Sequence, residues 1–336
     1  MHVLLLIGCA VAIYLACEWF VNAVEWLGVE LGIATLAVGT VLAAIGTALP
    51  ESVVTLVAVL SGNEHGGKDI GVGAALGGPL VLSTLAYAVV GALLLLRGRV
   101  RAGRAGPAAD PFADVDRSRL VLDQTWFLVI AGSALVLGLV AFAGKQWLGL
   151  LFFVGYALYV RRELSGDAPA HPSDDLEPLR LWRRDGDPPR WAVITQTLVA
   201  LVAVVFASQL FVRQLEWAGP ELGMPPAAVA LLLAPVATEL PEVLNAVIWA
   251  RQGKTRLAMA NIAGSMMVQA TVPAGIGLLF TPWRFDAILL TASVATLAAV
   301  VYLRTLAGAN LLRPAWVTGT AAFYVAFAAA LAVELS

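Results

Sequence analysis

Two short stretches could do ionic chemistry where charge is costly. Gly46-Thr47-Ala48-Leu49-Pro50-Glu51 and Ala237-Thr238-Glu239-Leu240-Pro241-Glu242 each sit inside a long apolar segment. Glu51 and Glu242 lie nineteen residues past Gly32 and Gly223, near where the middle of a bilayer would fall. An ionised carboxylate there costs at least about 2.5–3.5 kcal/mol on insertion scales, so a cation, a proton or a partner must compensate it. The proline before each glutamate has no amide to donate, which disrupts the helix about one turn earlier. That frees carbonyls around Ala43–Gly46 and Leu233–Ala237. Carbonyls, the hydroxyls of Thr47 and Thr238, and carboxylates are hard oxygen ligands suited to Na⁺, Ca²⁺ or Mg²⁺. The alternative, that Glu51 and Glu242 are protonated structural acids, has to explain why they recur in register. Glu239 breaks the symmetry, since its counterpart is Ala48. On an unbroken helix it shares a face with Glu242. It is either a third ligand or proton carrier, or a protonated acid in an inter-helix hydrogen bond.

After each motif another apolar segment opens with small residues. The first reads Gly73-Ala74-Ala75-Leu76-Gly77-Gly78-Pro79-Leu80-Val81-Leu82 and the second Ala260-Asn261-Ile262-Ala263-Gly264-Ser265-Met266-Met267-Val268-Gln269. Small residues four apart let helices approach closely, and Gly73/Gly77 and Ala260/Gly264 are read as packing positions. Asn261, Ser265 and Gln269 fall on one helical face and suggest the wall of a site. The alternative for them is simple hydrogen bonding between helices. In the first segment those places hold Ala74, Gly78 and Leu82.

Apolar helices are needed to hold these residues. The chain of 336 residues is 60% hydrophobic and 13% charged, with a mean hydropathy of +0.84. Soluble domains run at about 45–50% apolar and about 25% charged. This is the composition of an all-α integral membrane protein, and it excludes a soluble enzyme. With about 20 apolar residues per crossing, ten spans fall near 3–27, 31–60, 70–96, 122–143, 146–160, 191–212, 224–250, 256–280, 285–303 and 315–334. Two long polar loops, 97–121 and 161–190, interrupt them. The second divides the chain into halves, 1–160 and 191–336. No Lys or Arg precedes the first apolar run, so it is read as a retained span and not as a signal peptide.

Other chemistries find little support. Cys9 and Cys17 both lie in the first span, which argues against a disulfide framework. His2, His65 and His171 all lie outside apolar runs, which excludes a histidine-based zinc or catalytic centre in the membrane. A net charge of −2 without a basic patch offers nothing to nucleic acid. Intramembrane hydrolysis lacks a Gly-x-Ser-x-Gly elbow or an aspartate pair, so no enzyme is expected. Glu25, Glu30, Glu216 and Glu221 at span ends are read as interfacial and solvated, and the tryptophans as an interface belt.

Lys and Arg set the orientation. With the N-terminus outside, seventeen fall in inside loops and four outside, so both termini are expected to face out. Ten spans split five and five, and an odd number per half inverts the second half relative to the first. The halves are related in sequence. Phe20-Val21, Glu25-Trp26, Gly28, Glu30, Leu31, Gly32, Thr47, Leu49, Pro50, Glu51 and Gly62 each match an identical residue 191 positions later. One register kept over forty residues indicates a duplication. Inverted repeats with broken helices meeting at the midplane are the architecture of secondary transporters.

Gly46–Glu51 resembles the Gly-Thr-Ser-Leu-Pro-Glu signature of the sodium/calcium exchangers, in the cation/calcium antiporter superfamily, and the likeness covers essentially the whole chain. The resemblance implies that Glu51 and Glu242 ligate Ca²⁺ or Na⁺ with help from Thr47 and Thr238, and more weakly from Ser265. It also implies that the first and sixth spans slide over the other eight. The family's following spans read Gly-Asn-x-x-Gly-Ser-Asn-x-x-Asn/Asp. Here the motif Ser is Ala48 or Glu239, the first Asn is Ala74 in one half, the Ser is Gly78, and the last positions are Leu82 and Gln269. Several sodium ligands are therefore missing, and one acid is new. Thr238-Glu239 is also loosely similar to the Gly-Asn-Ala-Thr-Glu motif of proton/calcium members.

The expectation is a plasma-membrane antiporter exchanging Ca²⁺ for Na⁺, with Glu51, Glu242, Thr47, Thr238, Glu239, Ser265 and Gln269 at the cation site. Its partners are inorganic cations and the lipid bilayer, and no cofactor is expected beyond the transported ions. The alternatives are proton coupling and a non-transporting relative that keeps the fold with an eroded site.

Overall fold

The apolar runs fold as helices, which satisfy the backbone internally where no water can. A computed structural model describes residues 2–48, 52, 55–56, 67–102, 110–165, 176–182, 186–221, 232 and 234–334. Helix α1 is His2–Glu30. Helix α2 is Thr35–Ala48, widened to π geometry over Val38–Ala43. Helix α3 joins Gly67–Val81, a π turn at Leu82–Ala86, and Tyr87–Ala102. Arg117–Leu139 is α4 and Gly149–Leu164 is α5. Beyond the central loop, Arg190–Glu221 is α6. The short α7, Ala234–Thr238, is followed by α8, Leu240–Arg251. Thr255–Phe280 is α9, Ala287–Gly308 is α10, and Pro314–Glu334 is α11.

The protein is an all-α membrane protein. Among the described residues seven helices, α1, α3, α4, α6, α9, α10 and α11, are long and apolar enough to cross a bilayer. The expected spans at 31–60 and 224–250 lie partly outside the described residues. The expected span at 146–160 folds as α5, which continues to Leu164 and so takes the first residues of the expected 161–190 loop. Large apolar side chains such as Ile7, Val129, Val154, Phe206 and Val325 point outward and exposed, as a lipid solvent requires.

Helix α9 is the innermost element and is buried along nearly its whole length. It packs against α2, α3, α5 and α8, while α3 packs against α7 and α11, α4 against α10, and α1 against α6. Glycines set the closest approaches. A Cβ on Gly264 of α9 would run into the backbone of Thr40 in the π turn of α2. One on Gly77 of α3 would lie 2.8 Å from the Pro235 ring. Among the described residues nothing lies within 4 Å of a Cβ placed on Gly73, whereas Gly77 and Gly264 are in close contact as packing positions.

The central loop ties α1 to α6. Leu179 inserts among Ala23 and Trp26 of α1 and Ala192 and Val193 of α6. Asn22 Nδ2 donates to the carbonyls of Glu177 and Pro178, and its Oδ1 accepts from the Arg180 amide and Gln196 Nε2. Segments rich in Lys and Arg gather at the same end of the bundle. Arg97 donates to the Ala250 carbonyl, and the Arg256 amide to Asp114. Buried Glu163 of α5 takes Arg119 at 2.7 Å and the Thr40 hydroxyl at 2.9 Å.

Two side-chain expectations change. Glu25 is not solvated: it is buried and holds Lys254 Nζ at 2.6 Å and the Trp249 indole N–H at 2.7 Å. The backbone brings Lys254 there. Gly253 adopts a left-handed φ of +84° after α8, and the Lys254 amide returns to the Trp249 carbonyl, a Schellman-type end that only glycine takes without strain. Trp249 and Trp283 are fully buried, each with its indole N–H bonded, so the interface belt holds only for exposed members such as Trp147, Trp191 and Trp316.

Candidate functional site

The second motif interrupts its helix at Glu239, just after the expected 233–237. Residue Glu239, at φ −83° and ψ 0°, separates α7 from α8, and Pro241 lies in the first turn of α8. Pro241 has no amide to give the Ala237 carbonyl. The Thr238 hydroxyl donates to the Pro235 carbonyl at 3.1 Å. Glu239 and Glu242 are 1% and 0% exposed, so both carboxyls are inside the protein.

Helix α9 lays its polar stripe along this break. Gln269 Nε2 donates to Glu239 Oε2 at 2.6 Å, and Asn261 Nδ2 donates to the Glu242 carbonyl at 3.1 Å. Ser265 lies between them on the stripe and is fully buried. The stripe's donors bind the motif, as the hydrogen-bonding reading expects; among the described residues, Ser265 Oγ, Asn261 Oδ1, Gln269 Oε1 and Glu239 Oε1 are buried with no hydrogen-bond partner. Buried polar atoms left unpaired are costly.

The first motif is described as far as Ala48. Thr47 is 2% exposed and its hydroxyl returns to the Ala43 carbonyl at 3.1 Å, just after the π turn. π turns occur frequently at functional sites because they displace carbonyls from the regular ladder. Glu51, with Leu49 and Pro50, lies outside the described residues. Ala48 packs in an apolar cluster with Ala44 and Val268. Helices α1 and α6 cover the motifs: a Cβ on Gly46 would lie 2.9 Å from Phe20 and 3.8 Å from Leu201, and Cys17 Sγ is 3.8 Å from the Pro241 carbonyl.

One residue escapes the sequence reading. Asn245, one turn beyond Glu242 on α8, is fully buried, and among the described residues neither of its side-chain atoms finds a hydrogen-bond partner. Its repeat counterpart is Val54, so the duplication gave no hint of it. Its spacing of three from Glu242 was the available signal.

A multi-pass helical membrane protein with buried carboxylates and unsatisfied oxygens at a broken helix has the features of a membrane cation carrier. The family described as "Sodium/calcium exchanger protein" matches residues 1–162 and 193–333, and the chain belongs to it. Among relatives, the chain is 29% identical over 291 residues to Inner membrane protein YrbG of Escherichia coli (strain K12), covering 84% of this chain and 81% of that protein. It is 31% identical over 85 residues to Sodium/calcium exchanger MaX1 of Methanosarcina acetivorans, 25% of this chain and 24% of that one. The fold matches the sodium-calcium exchanger NCX_Mj, solved after soaking with 10 mM Na⁺ and zero Ca²⁺, with a TM-score of 0.74 at 18% identity, covering 98% of this chain and 100% of that one.

Proposed function

We propose that the protein is a secondary active antiporter exchanging Ca²⁺ for Na⁺ across the plasma membrane by alternating access. The observation that supports this reading is the pair of buried carboxyls, Glu239 and Glu242, at the α7–α8 break, faced by oxygens of Gln269 and Ser265 that have no hydrogen-bond partner among the described residues. Glu242 and Glu51 carry the cation. Thr47, Thr238, Ser265 and backbone carbonyls complete its shell, with Glu239 and Gln269 beside it. The transported ions are the only non-protein groups required.

The ten-span reading, with two inverted five-helix repeats and both termini outside, draws support from the packing. The third helix of each half meets the fifth of the other half (α3 with α11, α9 with α5), and the first helices, α1 and α6, pair. That exchange of partners is what a two-fold relation between halves produces. The loop segment bound to Asn22 and Gln196 bridges α1 and α6, which supports the reading that they move together.

Proton coupling is the second reading, favoured by the acid at Glu239 where the exchanger signature has Ser. Purified protein in liposomes, loaded with Na⁺ and diluted into Ca²⁺, separates the two. Ca²⁺ uptake driven by the outward Na⁺ gradient supports exchange with Na⁺, and uptake driven only by an outward proton gradient replaces it with proton coupling. No uptake under either gradient, with folded protein, refutes calcium antiport.

A further inference from the structure

Among the described residues, three glutamates of α1 form ion pairs, and they pair in different directions. Glu18 meets Arg180 of the central loop at 3.2 Å, and Glu30 meets Arg190 at the start of α6 at 2.7 Å. Both of these pairs stay within α1, α6 and the segment that bridges them. Of the three, only Glu25 reaches across to the rest of the bundle, to Lys254 in the turn between α8 and α9. The end of α8 touches α1 a second time, where Arg251 donates to the Tyr14 hydroxyl at 2.7 Å. Deeper in the same interface Cys17 of α1 is fully buried, with its Sγ 3.8 Å from the Pro241 carbonyl inside the second motif. The seam between α1 and α8 thus runs from a charged contact at the Lys- and Arg-rich end to the candidate cation site.

We propose that the Glu25–Lys254 pair is a conformational latch that holds this seam shut and biases the carrier against opening at the Lys- and Arg-rich end. This rests on the alternating-access reading and adds a control on it. The geometry suits a contact that must be firm and yet releasable. With the seam shut, Lys254 Nζ lies 2.6 Å from each Glu25 oxygen, and the Trp249 indole N–H holds the same carboxylate. Glu25 is 8% exposed but Lys254 is 25% exposed, so the pair sits at the edge of water. With the seam parted both charges hydrate, and neither is stranded in apolar surroundings as the survivor of a mutation would be. The latch is also one-sided. Under the 191-residue repeat Glu25 corresponds to Glu216 and Lys254 to Asn63, so the acid is repeated and the lysine is not. A contact made in only one of two alternative states shifts their balance by its differential free energy. A pair without a counterpart therefore makes the two openings unequal, where two matched pairs would leave them balanced.

The rate at which N-ethylmaleimide modifies Cys17 in the purified full-length protein, on a Cys9→Ala background, reads the seam directly and requires no transport. Glu25→Gln and Lys254→Met are each expected to raise that rate about five-fold or more. Glu30→Gln, which breaks a pair between α1 and α6, is expected to leave it unchanged. Glu163→Leu breaks a buried pair elsewhere, with Arg119, and is also expected to leave it unchanged. If Lys254→Met does not fold, Glu25→Gln, which keeps the shape of its side chain, decides the matter. An unchanged rate in Glu25→Gln, or an equal rise in Glu163→Leu, overturns the latch; Ca²⁺ uptake retained by the same proteins then leaves the antiporter reading standing. Absence of Ca²⁺ uptake by the wild-type protein, whatever the labelling shows, overturns the antiporter reading instead.

Discussion

Removing Lys254 should cost far more than a surface lysine would. Lys254 Nζ lies 2.6 Å from each oxygen of Glu25, and the Trp249 indole N–H donates to the same carboxylate at 2.7 Å. Glu25 is 8% exposed and Lys254 25%. Breaking a buried pair from one side costs about 3–5 kcal/mol, because the remaining charge is stranded. Lys254→Met strands the better buried member, and Trp249 alone then compensates it. Water already reaches part of the ammonium, so the expected cost is at the low end, about 3 kcal/mol. Glu25→Gln strands only the ammonium, which can turn to water, at about 1–2 kcal/mol. The double variant leaves a neutral amide accepting the indole N–H, so it should be more stable than Lys254→Met alone. Denaturant unfolding of the detergent-solubilised protein measures all three. A Lys254→Met cost within about 0.5 kcal/mol of zero, or a double variant equal to the sum of the singles, would refute the argument.

Three further outcomes are expected. Asn245→Leu should lower cation flux about ten-fold or more while leaving the unfolding midpoint unchanged or raised, since it removes two unsatisfied buried atoms; flux assay and thermal melt together check this. Glu163→Leu should destabilise by about 3 kcal/mol by stranding Arg119, and adding Arg119→Met should recover part of the loss in the same denaturant assay. Gly253→Ala should cost about 1–2 kcal/mol because alanine resists the left-handed φ of +84°, again read by denaturant unfolding.

The membrane class, the broken second motif and the stripe on α9 were legible in the sequence, because hydropathy, proline chemistry and helical spacing are local. What was not legible depends on contacts between distant segments. Glu25 looks interfacial at the end of α1, and only the turn at Gly253, more than two hundred residues later, brings Lys254 to it. Gly78, Glu239 and Gln269 looked like independent departures from the exchanger signature because nothing in the sequence says that they touch. Gly73 and Gly77 carry the same small-residue signal, yet among the described residues only Gly77 meets a neighbour, since a spacing of four marks a face without saying what covers it. Asn245 has no counterpart in the first half, so a reading guided by the repeat passed over it.

The most direct test of the cation-transport account is ⁴⁵Ca²⁺ uptake into proteoliposomes by the wild-type protein, Glu242→Gln and Glu51→Gln, each shown to be folded by its gel-filtration profile. The account predicts gradient-driven uptake by the wild type and background uptake by both variants. Uptake by either variant at the wild-type rate would contradict it.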